Sequence, residues 1–385
     1  MPHSLSPIEM ISRLIEIPSV SSVMPDLDMG NLEVVELLAN WLDELGYRIE
    51  MQHLKNRRDK ANLIATLGDA DEGLVLAGHT DTVPFDQQRW NFDPFRLTES
   101  ENRLYGLGTS DMKSFLALAI AAAAPFKSHQ LRRPLTIIAT ADEETTMDGA
   151  KLLSAQGKRL GRHCLIGEPT NLFPVHQHKG IFMEAIRLRG SSGHSSDPSL
   201  GNNALEGMHA VIQSLLDYRR ELQAGQRNPA FDVPVPTLNL GHIHGGDNPN
   251  RICGECELHI DLRPLPGMDI PALRQELRKR VSSVAESLAL QCEFKTLFSG
   301  VPAMETPADA HIVRLAEQLS GHHSGAVAFC TEGPYYNALG METVILGPGD
   351  IAQAHQPDEY LAMNRIQPTL DLLKRIIHSV CIDPN

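Results

Sequence analysis

The feature that most constrains this sequence is a series of apolar runs that end in metal-binding types of residue. The runs lie at 74–78, 135–141, 164–167 and 343–347. The candidate ligands and their neighbours are His79, Asp81, Asp111, Glu143, Glu144, Glu168 and His355. Because buried strands open into one crevice at their carboxyl ends, we expect these side chains to meet there. The recurrence of the pattern, more than any single motif, predicts a metal site.

His79 and Asp81 end the first of these runs. Residues two positions apart on a strand point to the same face, so both side chains are expected on one side of the sheet. A metal-bound histidine usually donates its second ring N–H to a carboxylate, which suits Asp81 as a support for His79. A buried histidine that is satisfied by an aspartate, without any metal, is the alternative for this motif taken alone.

Asp111 lies in a glycine-rich turn at 105–113, just before a helix predicted over 114–126. The spacing of Gly106 and Gly108 superficially resembles a phosphate-binding loop. The third glycine and the Lys-Ser/Thr pair of such loops are missing, which argues against nucleotide binding. An aspartate held by a turn is able to bridge two cations through its two oxygens.

Three consecutive acids follow the apolar strand predicted at 135–140, and they include Glu143 and Glu144. Adjacent carboxylates repel each other, so closely placed pairs usually need a cation or a shared proton. With metal present, one carboxylate can bind it while the other carries protons. A solvated surface loop is the alternative, and the apolar character of the strand argues against it. Glu168 and His355 follow further apolar runs in the same manner.

The composition excludes several classes of protein. The 48 acidic and 34 basic residues give a formal charge of −14, which argues against a nucleic-acid or anionic-membrane partner. The longest apolar run, 115–126, is too short to span a bilayer, and residues 1–4 lack a basic leader, so we expect a soluble cytoplasmic protein. Cys253 and Cys256 form a C-x-x-C without a second such pair, which favours a structural role over a zinc knuckle or a redox pair.

The chain is long enough for two domains, since 385 residues exceed the usual size of one hydrophobic core. Helical periodicity at 8–17 and 32–45, followed by strand-like runs around one helix between 61 and 168, predicts α/β patterning with a mixed sheet. Between 180 and 298 the predicted order becomes β-α-β-β-α-β, as in ferredoxin-like domains. Helices at 308–319 and 366–380 then flank a strand that ends at 347.

His355 lies after this inserted segment, whereas the other candidate ligands precede it. A single metal site therefore requires both flanks to fold together. We predict an α/β fold with a discontinuous, mixed-sheet catalytic domain formed by residues 1–179 and 299–385. Residues 180–298 are predicted to form an inserted ferredoxin-like domain that serves as a lid or for dimerisation.

The order of the motifs resembles the co-catalytic zinc aminoacylases and carboxypeptidases, over nearly the whole chain. The resemblance rests on segments 78–85, 141–145, 250–253, 261–268 and 354–360. It implies a zinc hydrolase with two Zn²⁺ per subunit, for which Co²⁺ is able to substitute, and with Asp111 as the bridging ligand. The remaining ligands implied are His79 and Glu168 for one ion, and Glu144 and His355 for the other. Glu143 falls at the family's general acid and base.

The resemblance also implies residues that contact the substrate. His194 would stabilise the tetrahedral intermediate across a homodimer interface formed by the inserted domain, with a local hydrogen bond as the alternative. Arg263 and Asn250 would hold the substrate's carboxylate, since arginine offers two parallel donors, with a surface ion pair as the alternative for Arg263. Charge complementarity alone suggests that Glu332 faces a substrate ammonium group, and a structural acid is the alternative.

The expected substrate is a small acyl amino acid. The leading hypothesis is removal of the acetyl group from N²-acetylornithine for arginine synthesis. Removal of succinate from succinyl-diaminopimelate, or hydrolysis of a dipeptide or another acyl amino acid, is the alternative. A non-enzymatic descendant whose inserted domain mediates binding is a third possibility, and the intact set of ligands argues against it.

Overall fold

The structure is a computed structural model that describes residues 5–55, 57–70 and 72–384. Residues 1–4, from which the sequence predicts no leader, lie outside the described residues. None of the helices in the described ranges is both long and apolar enough to cross a membrane.

The helices are short to medium in length and alternate with the strands. Their bounds are α1 (Pro7–Ile15), α2 (Leu32–Glu44), α3 (Lys113–Ala123), α4 (Asp148–Ala155), α5 (Ala204–Gly225), α6 (Ile270–Ser287), α7 (His311–Ser320), α8 (Gly333–Ala338) and α9 (Ile366–Ile377).

The strands form one mixed sheet and two antiparallel ones. Their bounds are β1 (Arg48–Leu54), β2 (Arg57–Leu67), β3 (Leu74–His79), β4 (Thr98–Ser100), β5 (Arg103–Tyr105), β6 (Leu135–Thr140), β7 (His163–Ile166), β8 (Val175–His178), β9 (Ile181–Arg189), β10 (Thr237–Gly245), β11 (Glu255–Arg263), β12 (Gln291–Val301), β13 (Met304–Glu305), β14 (Gly325–Val327), β15 (Glu342–Ile345) and β16 (Tyr360–Ala362).

The chain divides into two units. The first comprises the chain up to His176 together with 306–325 and the chain from Thr331 onward. The second comprises Gln177–Glu305 and Ala326–Cys330. The first unit is thus formed by three segments of the chain, and most of the second unit is inserted between the first and second of them.

Four parallel strands form the centre of the sheet in the first unit. The order begins β1-β2-β6-β3-β7-β15, with β3 parallel to both β6 and β7, and β7 parallel to β15. Every residue of β3 and of β6 is buried, as expected for parallel strands that are covered on both faces. The carboxyl ends of these four strands therefore lie along one edge of the sheet.

Helices cover both faces of this sheet. α3 is buried almost all round and packs against α1 and α9, which matches its alanine- and leucine-rich sequence. α4 is held on the opposite face, where Asn62 of β2 donates to the carbonyl of Gly149. Gly167, just after β7, allows α3 to approach closely, because a Cβ at this position would lie 1.9 Å from Cγ of Phe115.

The second unit has the predicted β-α-β-β-α-β order. Its antiparallel sheet runs β10-β11-β9-β12, and α5 and α6 pack together over a shared apolar core. Cys253 and Cys256 are free thiols, and both contribute to this core. The fold class predicted from the sequence, a mixed-sheet α/β domain with an inserted ferredoxin-like domain, is confirmed.

Several elements escaped the sequence analysis. The edge strand β1 and the short strands β4, β5 and β16 have polar or mixed sequences, because such strands bury only part of their side chains. The predicted helix at 308–319 begins three residues later, at His311, and the helix predicted over 114–126 ends at Ala123. These differences lie at the ends of elements, where periodicity is a weak signal.

We predict that Gly167→Ala lowers the stability of the first unit by about 1–3 kcal/mol, because the new methyl group overlaps the Phe115 ring. Urea unfolding followed by circular dichroism measures the change. Gly325→Ala is the matched control, since nothing lies within 4 Å of its added Cβ, and we expect a change within about 0.5 kcal/mol. Equal stability of the two variants would contradict the packing described here.

Candidate metal centre

The carboxyl edge of the parallel strands gathers most of the residues predicted as ligands. His79 is the last residue of β3, and Glu143 and Glu144 follow β6. Glu168 follows β7, and His355 lies in the loop after β15. The register pairs His79 with Thr140 and Ala77 with Ile166, so these strand ends are level with one another.

The first group of ligand atoms surrounds His79. Its Nε2 lies 3.1 Å from Oδ1 of Asp111 and 3.9 Å from Oε1 of Glu168. Oε1 of Glu168 is buried and has no hydrogen-bond partner in the described part of the chain. A buried carboxylate oxygen without a donor is costly unless a cation compensates it, so this oxygen is suited to a metal.

The second group surrounds His355. Its Nε2 lies 3.0 Å from Oε2 of Glu144 and 3.8 Å from Oδ2 of Asp111. The two oxygens of Asp111 thus face the two histidines, Oδ1 towards His79 and Oδ2 towards His355. Asp111 is the residue shared by both groups.

These spacings fit a pair of divalent metal ions. A tetrahedral site with bonds of about 2.0–2.1 Å separates neighbouring ligand atoms by roughly 3.3 Å, and the distances above scatter around that value. Two further sets of ligand atoms lie within 4.8 Å of one another, and these are His79 with Glu143 and Glu168, and His79 with Asp111 and Glu144. Imidazole and carboxylate donors suit zinc and similar ions.

The Glu143 carboxylate lies beside the first group. Burial raises its pKa well above the usual range, and the neighbouring Glu168 carboxylate adds to the effect. Burial and the nearby Asp111 likewise raise the pKa of Glu168. Such crowding of acids is what a bound cation relieves, because like charges disfavour the ionised forms.

The environment of His79 differs in one detail from the prediction. Its Nδ1 lies 2.9 Å from the main-chain oxygen of Asp81, whereas the Asp81 carboxylate is 3.7 Å away. The Asp81 carboxylate instead accepts hydrogen bonds from the main-chain N–H groups of Glu143 and Glu144, at 3.2 and 3.0 Å. Asp81 therefore orients the ring through its backbone and positions the acidic turn through its side chain.

The two histidines have raised pKa values in the metal-free protein. Burial alone would lower the pKa of His79, but the hydrogen bond to Asp111 and the charge of Glu168 outweigh it and raise the value well above normal. The hydrogen bond to Glu144 raises the pKa of His355 to about 9. A metal ion binds the neutral form of imidazole, so it competes with the proton that these neighbouring carboxylates favour.

Glu359 is a buried residue of this region that the sequence analysis did not assign. Its carboxylate accepts the N–H groups of Gly108, Ser110 and Asp111, at 3.0, 2.7 and 2.9 Å. It thereby fixes the turn that carries Asp111. Glu359 directly precedes β16, and the pairing of β16 with β5 brings it to this turn.

Three residues predicted to contact substrate lie in the second unit. His194 is exposed, and its Nδ1 lies 2.7 Å from the hydroxyl of Ser196, which matches the local alternative. A main-chain hydrogen bond joins the loop of His194 to that of Asn250, because the N–H of Ser195 donates to the carbonyl of Asn250. Arg263 donates to Asp261 at 2.9 Å. The structure thus brings the loops of His194 and Asn250 together, and their roles stay predictions.

Glu332, which the sequence analysis suggested as a partner of a substrate ammonium group, lies in the interior of the first unit. Its side chain is in the interior, 1% exposed, beside Thr140 and Tyr336. Burial raises the pKa of Glu332 to about 7. Glu332 also lies close enough to Glu143 and Glu168 to raise the pKa values of both, and its role towards the substrate stays a prediction.

The sequence profile of peptidase family M20/M25/M40 matches residues 75–379. The chain belongs to this family. It is 49% identical over 374 residues to an acetylornithine deacetylase from Edwardsiella ictaluri (strain 93-146), and the match covers 97% of each chain. The resemblance drawn from the motifs is confirmed.

Solved structures of low sequence identity share the fold of this M20/M25/M40 family member. Aminopeptidase PepT from Bacillus cereus ATCC 10987 superposes with a TM-score of 0.77 at 18% identity, covering 97% of this chain and 98% of that chain. A Bacillus subtilis protein described as a dinuclear metal-binding peptidase of the M20 family gives 0.66 at 16% identity, covering 97% and 98%.

We predict that metal binding releases protons at pH 7. In the metal-free protein the pKa of His355 is about 9 and that of His79 is also raised, while a metal ligand must be a neutral imidazole. The apparent affinity should therefore rise as the pH increases towards 9, by up to about tenfold per pH unit for each proton displaced.

Calorimetric zinc titrations in buffers of different ionisation enthalpy measure this release. His355→Ala should release about one proton fewer than the unmodified chain. Zinc binding that is independent of pH between 6 and 8 would contradict the proposed ligands.

Proposed function

We propose that the protein is a zinc-dependent amidohydrolase that converts N²-acetylornithine and water into ornithine and acetate. The observation that carries the hydrolytic proposal is Asp111, whose two oxygens face two separate groups of ligand atoms, with the Glu143 carboxyl alongside. The substrate is inferred from the relative at 49% identity that bears the name acetylornithine deacetylase.

The proposed site holds two zinc ions per subunit, for which cobalt is able to substitute. Asp111 would be shared between them. The other ligands would be His79 and Glu168 for the first ion, and Glu144 and His355 for the second. The distances support this division, since His79 lies 3.9 Å from Glu168 and His355 lies 3.0 Å from Glu144. The two histidines also approach opposite oxygens of Asp111.

Amide hydrolysis needs a better electrophile and a better nucleophile than a free amide and neutral water. A divalent metal pair, when bound, supplies Lewis acidity that activates water and polarises the acyl carbonyl. The Glu143 carboxylate takes the proton of the attacking water and delivers it to the nitrogen of the departing amine. A carboxyl group that lies beside both groups of ligand atoms, and that is not itself needed as a ligand, suits a group that must accept and then donate a proton.

Two further carboxylates fix the turns that carry the proposed base and the proposed metal ligands. Asp81 accepts the main-chain N–H groups of Glu143 and Glu144, and Glu359 accepts those of the turn that carries Asp111. Fixing the backbone in this way fixes the directions in which the reactive side chains point. Such pre-organisation is a major source of enzymatic rate.

Recognition of the substrate and assembly are further parts of the proposal. Asn250 and Arg263 would bind the carboxylate of the amino acid, and His194 would stabilise the tetrahedral intermediate. The second unit would mediate homodimer formation. The reaction would serve arginine synthesis in the cytoplasm.

A competition assay tests the choice of substrate. Zinc-loaded protein is offered N²-acetylornithine, N-succinyl-diaminopimelate, N-acetylmethionine and a small dipeptide, and metal-stripped protein is the control. We expect the highest kcat/KM for N²-acetylornithine and no turnover without metal. A higher kcat/KM for the succinyl compound or the dipeptide would overturn the assignment of substrate, while no hydrolysis of any of the four would overturn the enzymatic proposal itself.

We predict that Glu143→Gln retains both metal ions and lowers kcat by about 10² to 10⁴-fold, because the amide cannot accept the proton of water. Glu144→Gln is the matched comparison, since it makes the same chemical change on the next residue and should lower the metal content instead. Elemental analysis and steady-state kinetics separate the two effects. Wild-type turnover by Glu143→Gln would show that another group is the base.

A further inference from the structure

The acidic turn after β6 contains a third carboxylate, Asp142, that the proposed mechanism does not use. Its Oδ1 accepts hydrogen bonds from the hydroxyl of Ser21, at 2.9 Å, and from the ammonium group of Lys60. Asp142 is 7% exposed. Asp142 therefore bonds to Ser21 and Lys60, whereas the next two residues, Glu143 and Glu144, belong to the candidate metal centre.

Lys60 is a buried cation between two carboxylates, the buried Asp142 and the half-buried Asp28. It is 2% exposed and bonds to Asp28, at 2.7 Å, as well as to Asp142. It lies on β2, which pairs with β6 in the register that opposes Leu63 and Ala139. Extended by three residues, backward along β2 and forward along β6, this antiparallel register brings Lys60 opposite Asp142. The ion pair of Lys60 and Asp142 thus lies just beyond the point where the pairing of β2 with β6 ends.

The turn is held from two sides. On one side, Asp81 accepts the N–H groups of Glu143 and Glu144. On the other, Lys60 and Ser21 hold the side chain of Asp142. Ser21 also contacts the hydroxyl of Thr145, at 2.7 Å, so it touches the turn before and after the two glutamates.

Asp142 has a backbone conformation that benefits from such support. Its φ is +58°, in the left-handed region that non-glycine residues rarely adopt. Its carbonyl accepts the N–H groups of Thr146 and Met147, which closes the turn. The side-chain bonds to Lys60 and Ser21 add to these main-chain bonds and fix the direction in which the chain leaves β6.

We propose that Lys60 is a positioning residue that holds the acidic turn and so sets the positions of Glu143 and Glu144. The proposal rests on the function proposed above, in which these two glutamates act as base and metal ligand. Lys60 forms an ion pair with Asp142, the one acid of this turn that belongs to neither set of ligand atoms around His79. Without Lys60, the buried Asp142 loses the cation that neutralises it, whereas Asp28 keeps its ion pair with Arg57. The turn then loses one of its two supports.

The test compares three variants of the full-length protein. Lys60→Met removes the charge and keeps the length of the side chain, whereas Lys60→Arg keeps the charge. Arg57→Met is the matched control, because Arg57 is a cation on the same strand that also pairs with Asp28 but makes no described contact with Asp142. Steady-state kinetics, calorimetric zinc titration and thermal unfolding are measured for each.

For Lys60→Met we expect kcat to fall by about 10²-fold with KM changed by less than about threefold, since displacing a base by about 1 Å has effects of this size. The affinity for the more weakly bound zinc ion should fall by about 10 to 100-fold, as when a group that supports a ligand is removed. Lys60→Arg should recover most of both quantities. Arg57→Met should leave both within about twofold, as expected for a side chain outside the site.

Asp142→Asn is a fourth variant, which tests the same contact from its other side if Lys60→Met fails to fold. It keeps the shape of the side chain and removes its charge. It should lower kcat and zinc affinity in the same direction, by about tenfold, because the amide accepts a weaker hydrogen bond from Lys60. Folded Lys60→Met or Asp142→Asn with the kcat and zinc affinity of the unmodified chain would overturn the proposal. So would equal losses in Arg57→Met.

The outcome is distinguishable from a failure of the proposed function. If the unmodified chain hydrolyses none of the acyl amino acids, the proposed function fails. The zinc titrations then still decide whether Lys60 positions Glu144. Normal zinc affinity in Lys60→Met would overturn the positioning role in that case as well.

Discussion

The structure depends on the compensation of carboxylates that are crowded at one edge of a parallel sheet. Asp111, Glu143, Glu144 and Glu168 converge with His79 and His355, and all of the acids are buried or half-buried. Their mutual repulsion and their burial both disfavour ionisation, which is why the pKa values of Glu143 and Glu168 are raised. A bound pair of divalent cations would relieve both penalties. The same ions would supply the chemistry of amide hydrolysis.

Acidic side chains have two distinct uses in this protein. One set faces the candidate metal centre, whereas Asp81, Glu359 and Asp142 bond to main-chain N–H groups or to Lys60 behind it. The second set fixes the loops that carry the first, because carboxylates accept several directed hydrogen bonds at once. An acid near the centre is therefore not by itself a candidate ligand, and its hydrogen-bond partners decide which use it has.

The sequence predicts the first set better than the second. Apolar runs that end in His79, Glu143, Glu144 and Glu168 can be recognised because strand ends of a parallel sheet share an edge. The β-α-β-β-α-β order of the second unit also follows from periodicity. The bonds of Glu359 and Lys60 could not be predicted in this way, since each joins segments far apart in the chain and depends on the direction of one side chain. Glu332 shows the same limit, because charge alone does not reveal that a residue is enclosed.

The most direct test of the account is a crystal structure of the zinc-loaded protein with anomalous diffraction recorded at the zinc edge. The account predicts two anomalous peaks on opposite sides of the Asp111 carboxylate, one next to His79 and Glu168 and the other next to His355 and Glu144. A single peak, or peaks that do not contact Asp111, would contradict the shared ligand on which the proposed chemistry is built.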